Sequence, residues 1–201
     1  MISIHLKIWY DKNKLHEMSD GMKRISWIHV FVSLIVFLAF MIFVLPAESN
    51  KSTELGIEQS PDTSFFYTKE ELYFIADSYG EEGRAFYVNQ RFTFDLIWPI
   101  AYGLFLTMTL AYLGKNASSK WIRKAFYLPI GSVVIDYLEN IMTATVMYRY
   151  PKETMIFSDL AGFVTALKWI SLSLSFVILL VIGVIYVIHS LKKEKSLWTN
   201  V

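Results

Sequence analysis

The chain has 201 residues, 54% of them hydrophobic, with a formal net charge of +1 and no cysteine. Soluble domains run at about 45–50% apolar, so this chain lies above them; its near-neutral charge gives no field for nucleic acid, which is not expected as a partner. The missing cysteines exclude thiol catalysis, disulfide exchange and Cys-based metal sites, and the four histidines, only His29 and His189 of which border apolar segments, give no basis for a His-rich zinc site, so no metal or cofactor is expected.

Residues 1–20 of the N-terminal segment 1–24 mix apolar and basic side chains, the pattern of a helix lying on the inner leaflet. A span then runs over 25–45 without a formal charge, long enough for the ~20 residues that cross a bilayer. Its length, the 24 residues before it and the lack of a small-x-small site in Leu45-Pro46-Ala47-Glu48-Ser49 mark it as a retained anchor. The loop 46–93 opens with a polar, breaker-rich stretch to residue 67 that is expected to be irregular. Residues 68–80 then read as a short amphipathic helix, with Thr68 and Glu71 as a capping box and Gly80 at its stop. Residues 81–92 restart a helix leading into the second span, 94–113, which carries Asp95 and Pro99. The third span, 125–147, carries Asp136 and Glu139; the fourth, 160–188, carries Lys168 and leads to a tail, 189–201.

The expected fold is therefore all-α, a four-transmembrane-helix bundle with an extracytoplasmic helical cap. Orientation follows the basic residues. The N-terminal segment, the 114–124 loop and the tail hold twelve Lys and Arg; residues 46–93 and 148–159 hold six, with eleven acidic residues. Both termini are expected in the cytoplasm and the long loop outside, either as a cap resting on the surface or as a lid over a site. Trp27, Trp98, Trp121, Tyr127, Tyr148 and Tyr150 fall where interfacial belts would lie.

Ionisable groups inside spans mark function by default. Counting rise along each helix puts Asp136 about 18 Å from the inner boundary, Glu139 and Asn140 at roughly 22–24 Å, Asp95 at about 27 Å and Lys168 at about 30 Å. Asp136, Glu139 and Asn140 stand at i, i+3 and i+4 and share one helix face, extended by Ser132 and Thr143. Lys168, Ser171 and Ser175 form a stripe on span four, and Asp95 and Tyr102 one on span two. Hydrocarbon would not tolerate these stripes, so they are expected to face one another. Pro99 removes the hydrogen bond to the Asp95 carbonyl, leaving an acceptor suited to a cation or hydroxyl.

EEGRAFY (81–87), TFDLIWPIAYGLF (93–105), DYLEN (136–140) and LKW (167–169) resemble a family of small bacterial four-helix integral membrane proteins with no attached activity. The resemblance covers residues 68–185 and singles out Arg84, Tyr87, Asp95, Pro99, Tyr102, Asp136, Glu139, Asn140 and Lys168. Three readings follow. The first is an outward-facing polar pocket for a lipid headgroup, small amphiphile or cation. The second is an intramembrane enzyme acting on a lipid or isoprenoid, with Asp136 or Glu139 as acid or base and Lys168 or Arg84 as anion holder. The third is an accessory subunit stabilised by an internal salt-bridge network. Membrane lipids are the expected surroundings and an oligomer is compatible with all three; transport through only four spans would require one.

Overall fold

A computed structural model describes residues 21–198 apart from 58 and 118, with side chains described to residue 191. The expected N-terminal surface helix lies outside the described residues. Among the described residues there is no strand, so the all-helical expectation holds. The helices are α1 (Trp27–Glu54), α2 (Lys69–Ser78), α3 (Gly80–Arg91), α4 (Phe94–Gly114), the short α5 (Lys120–Lys124), α6 (Tyr127–Arg149) and α7 (Met155–Trp198). Among the described residues three runs are long and apolar enough to cross a membrane: α1, α3 with α4 (Gly80–Gly114), and Met155–Leu191 of α7. At 23 residues α6 is as long as a crossing requires, but Asp136, Glu139 and Asn140 make it less apolar.

Polarity is inverted relative to a water-soluble bundle. Asp95, Asp136, Glu139, Asn140 and Lys168 are buried, whereas Val134, Leu138 and Ile141 of α6 and Leu167, Ile170 and Leu174 of α7 are exposed. Water would penalise that arrangement, and hydrocarbon would favour it.

Helix α1 continues through the expected break at Pro46 to Glu54, and residues 46–54 are helical rather than irregular. Proline lacks an N–H and its ring crowds the carbonyl four residues back. Here that carbonyl belongs to Ile42, inside a π-helical turn, Phe40–Val44, whose wider ladder leaves room for the ring. At the start of α1, His29 Nδ1 accepts the Ser26 backbone N–H at 3.1 Å. The expected capping box forms at α2: Thr68 Oγ1 accepts the Glu71 N–H at 3.2 Å, and Glu71 Oε2 accepts the Thr68 N–H at 2.7 Å. Gly80 turns the chain into α3 with a φ of +61°, open to glycine without strain.

Helices α4, α6 and α7 pack on one another, and α1 lies outside them against α4. The α1–α4 seam is aromatic: Phe37 stacks on Trp98 at 5.8 Å and on Phe105 at 5.0 Å, and Phe40 on Trp98 at 6.0 Å. Trp98 thus sits in this seam, while Trp27, Trp121 and Tyr148 are exposed as belt residues would be. Helices α2 and α3 close one end of the trio. Leu72, Ile75, Ala76 and Tyr87 form a small apolar core with Val146, Met147 and Ala161. The loop before α2 runs across α7 at Gly162, where a Cβ would lie 1.9 Å from the Tyr67 carbonyl oxygen. Only glycine permits that approach.

Candidate functional site

The polar stripes of α4, α6 and α7 meet beneath the α2–α3 cap. Glu139, fully buried, pairs through Oε2 with the Lys168 ammonium. Its Oε1 accepts the Thr165 hydroxyl at 2.6 Å, and the Tyr67 hydroxyl lies 3.0 Å from Thr165 Oγ1. Both carboxylate oxygens are therefore occupied by protein groups. Burial pushes the Tyr67 phenol far above its ordinary value, so it stays protonated and can donate.

A second centre gathers on Arg91. Its guanidinium meets Asp62 Oδ2 at 2.5 Å and Asp95 Oδ2 at 3.0 Å, donates to Asn140 Oδ1 at 3.2 Å, and lies 4.3 Å from the Tyr87 ring centroid. Asp62 also accepts the Tyr87 hydroxyl at 2.9 Å and the Ser60 hydroxyl at 2.9 Å. Trp169 Nε1 donates to the Asp62 carbonyl at 3.1 Å, fastening the same turn to α7. Burial pushes the Asp62 carboxyl up, but Arg91, with help from Lys168, Ser60 and Tyr87, outweighs it and holds the group below the usual carboxylate range.

Asp136 accepts the Tyr102 hydroxyl at 2.7 Å, tying α6 to α4. The Asp95 carbonyl freed by Pro99 faces the Asn140 amide at 3.5 Å, so the acceptor expected to await a ligand is met by the protein itself. The hydroxyl stripe is likewise turned inward. Ser132, Thr143, Ser171 and Ser175 donate to carbonyls of their own helices, at 3.1, 3.0, 3.0 and 2.8 Å.

Apart from Pro99, the resemblance singles out eight polar residues, and seven of them come together: Tyr87, Asp95, Tyr102, Asp136, Glu139, Asn140 and Lys168. Arg84 does not join them. It donates to the Ala76 carbonyl at 2.8 Å and lies 4.6 Å from the Tyr150 ring centroid, while Tyr150 donates to Asp77 at 2.6 Å. Arg84 braces the cap; Arg91, two turns further along the same face, supplies the cation. Sequence reading missed Arg91, Asp62, Tyr67 and Thr165. Arg91 had a signal, because Arg84, Tyr87, Arg91 and Asp95 fall at i, i+3, i+7 and i+11. Thr165 lies three residues before Lys168 on the stripe already drawn. Asp62 and Tyr67 come from a loop with no periodicity to read.

Two clefts lie away from the cluster. One, of about 270 Å³, is lined by Ile28, Val32, Val36, Ala101, Leu104 and their neighbours in the α1–α4 seam. The other, of about 490 Å³, opens between the far end of α1 and the α3–α4 junction. Neither is lined by a cluster residue. Among the described residues no group of His, Asp and Glu is arranged to hold a metal ion.

Fold and polarity together define a helical protein with several helices fit to cross a membrane. No family model, curated protein or solved structure matches the chain.

Proposed function

We propose that this is a four-span integral membrane protein of a bacterial plasma membrane, with both termini cytoplasmic and an extracytoplasmic cap latched onto the bundle by buried charge. Helix α6 is the fourth span: its 23 residues cover about 35 Å, its polar face is buried and its apolar face is exposed. The distribution of basic residues supports the orientation, and the resemblance to small bacterial membrane proteins supports the setting. The function that fits best is that of an accessory membrane subunit, which offers a fixed external surface to a partner or to lipid.

One observation carries this reading. Glu139 is enclosed on both oxygens by Lys168 and Thr165, and its neighbours connect onward to the cap through Tyr67 and Asp62. Such closure describes a latch better than an open pocket. The test is accumulation of Asp136→Asn and Glu139→Gln in membranes. A latch loses both variants or yields them with a cap that is readily proteolysed; a ligand or catalytic site leaves both folded with the cap intact. A reporter fused at residue 60 should appear outside the cell, and a cytoplasmic signal there would reverse the orientation.

A second reading is favoured by charge count. Asp62, Asp95, Asp136 and Glu139 face Arg91 and Lys168, four carboxylates against two cations. Buried charge must be compensated, so two protons, or cations carrying two positive charges in total, would neutralise the cluster. Thermal stability that rises with one added cation, at fixed ionic strength, would favour cation binding; equal response to all salts would argue against it.

A further inference from the structure

The cleft between α1 and the α3–α4 junction has a graded lining. On the α1 wall Phe40 and Val44 are apolar, and one and two turns further on come Glu48 and Lys51. On the facing wall Ile97 and Phe94 are apolar, and moving the same way the chain presents Thr93, Gln90 and Asn89. Both walls change from apolar to polar at one level, Val44/Glu48 against Phe94/Thr93, with the Phe86 ring the one apolar group on the polar side. An amphiphile lying along the membrane normal has that profile, with acyl chain below and polar head above. The π-turn Phe40–Val44 shapes the apolar half, and turns of this kind recur at functional sites.

The rim also specifies charge. Glu48 Oε1 accepts from the Lys51 ammonium at 2.6 Å, and Glu48 Oε2 accepts from Gln90 Nε2 at 3.2 Å. The Lys51 side chain is 57% exposed and that of Glu48 20%. One anion and one cation side by side on the rim complement a head that carries both signs. By exchanging the exposed Lys51–Glu48 contact, which is worth little in water, a phosphate would meet Lys51 and an ammonium with N–H donors would meet Glu48. The volume of about 490 Å³ lies in the range of roughly 300–1,000 Å³ typical of small-molecule sites.

We propose that this cleft binds a zwitterionic phospholipid with a primary ammonium, a phosphoethanolamine head, and that Glu48 and Lys51 select it over anionic or quaternary-ammonium heads. The proposal rests on the membrane-spanning reading but not on the latch. The latch residues line neither wall, so either idea can fail alone.

The full chain is purified in detergent and exchanged into nanodiscs holding equal parts phosphatidylethanolamine, phosphatidylglycerol and phosphatidylcholine. Lipid retained after re-extraction is then counted by native mass spectrometry. The expected result is one phosphatidylethanolamine per chain, in preference to the other two. In the Glu48→Gln/Lys51→Gln double variant that preference falls about tenfold, as loss of a charge-assisted contact implies. Thr93→Trp, which fills the mouth of the cleft from an exposed position, should abolish retention while leaving the melting temperature unchanged. Equal retention of the three lipids, or a preference that survives both variants, would overturn the assignment and identify the bound lipid as unselected annular lipid. Preference for phosphatidylglycerol would overturn it as well, by assigning the site to Lys51 alone.

Discussion

The two ways this chain joins helix to helix differ in kind. Helix α1 is held to α4 by stacked rings, Phe37 and Phe40 on Trp98 and Phe105, with few polar groups at the seam. Helices α4, α6 and α7 are joined at the capped end by ions and hydroxyls: Glu139 with Lys168, Arg91 with Asp62 and Asp95, Tyr102 with Asp136. In hydrocarbon the first kind gains little from burial, because acyl chains solvate aromatic surface about as well as protein does. The second has no substitute in lipid. An unpaired ion there is costly, so the network fixes which faces meet and at what height. The seam tolerates slippage, and the capped end does not.

That contrast is open to attack at several strengths. The largest effect belongs to the central pair. Lys168→Met leaves Glu139 buried without its cation, Glu139→Gln strips Lys168 of its direct partner, and each should cost about 3–5 kcal/mol. Poor accumulation, or a melting temperature far below that of the parent, is the expected readout. Next comes Gly162→Ala. Its Cβ would strike the backbone oxygen of Tyr67 and force the loop off α7, at about 1–3 kcal/mol as overpacking typically costs. Limited proteolysis should then cut residues 59–68, while the α1–α4 seam resists separation as before. Gly103→Ala is the milder comparison: its Cβ would meet a side chain, the Val133 Cγ2 methyl at 2.4 Å, rather than backbone, and a smaller cost is expected.

The proposed latch also has a pH signature through Asp62. The group lies below its ordinary value in the folded chain, so its stabilising contribution is complete above about pH 3.9, the unperturbed carboxylate value. It is lost as pH falls through the lower folded value. Protection of residues 59–68 against hydrogen exchange should therefore persist from neutral pH into the ordinary carboxylate range and fail below it. Asp62→Asn should remove the acid step and weaken protection at every pH. The smallest effect is expected at the seam. Phe37→Ala should cost about 1 kcal/mol, since the ring faces lipid when released. Cross-linking between α1 and α4 would fall while the cap stays protected.

Much of the junction was legible because helical spacing carries it. Asp136, Glu139 and Asn140 had to share a face, and a charged face had to turn inward wherever lipid surrounds the helix. Counting rise along each span then put Asp95 and Lys168 at nearby heights. What the sequence could not display was the path of a loop. The Ser60-Pro61-Asp62 turn carries no periodicity, and its entry into the cluster depends on Gly162 clearing the way from a hundred residues distant. Breaker composition misled at Pro46, where a π-turn absorbs the missing donor and the helix goes on to Glu54. Arg84 and Arg91 illustrate a third limit. Two arginines on one helical face are equivalent to a pattern, and only packing shows that Arg91 meets the carboxylates while Arg84 holds Ala76 and Tyr150.

Replacing both members of the central pair separates a latch from a ligand site most directly. Glu139→Met with Lys168→Met removes two charges together and leaves neither member of the pair without its partner, a change that well-packed apolar groups tolerate. Melting temperature and cap proteolysis of this double variant, measured beside the two single ones, should show recovery of most of the stability that either single change loses. Single variants as stable as the parent, or a double variant no better than the worse single, would contradict a closed ionic latch.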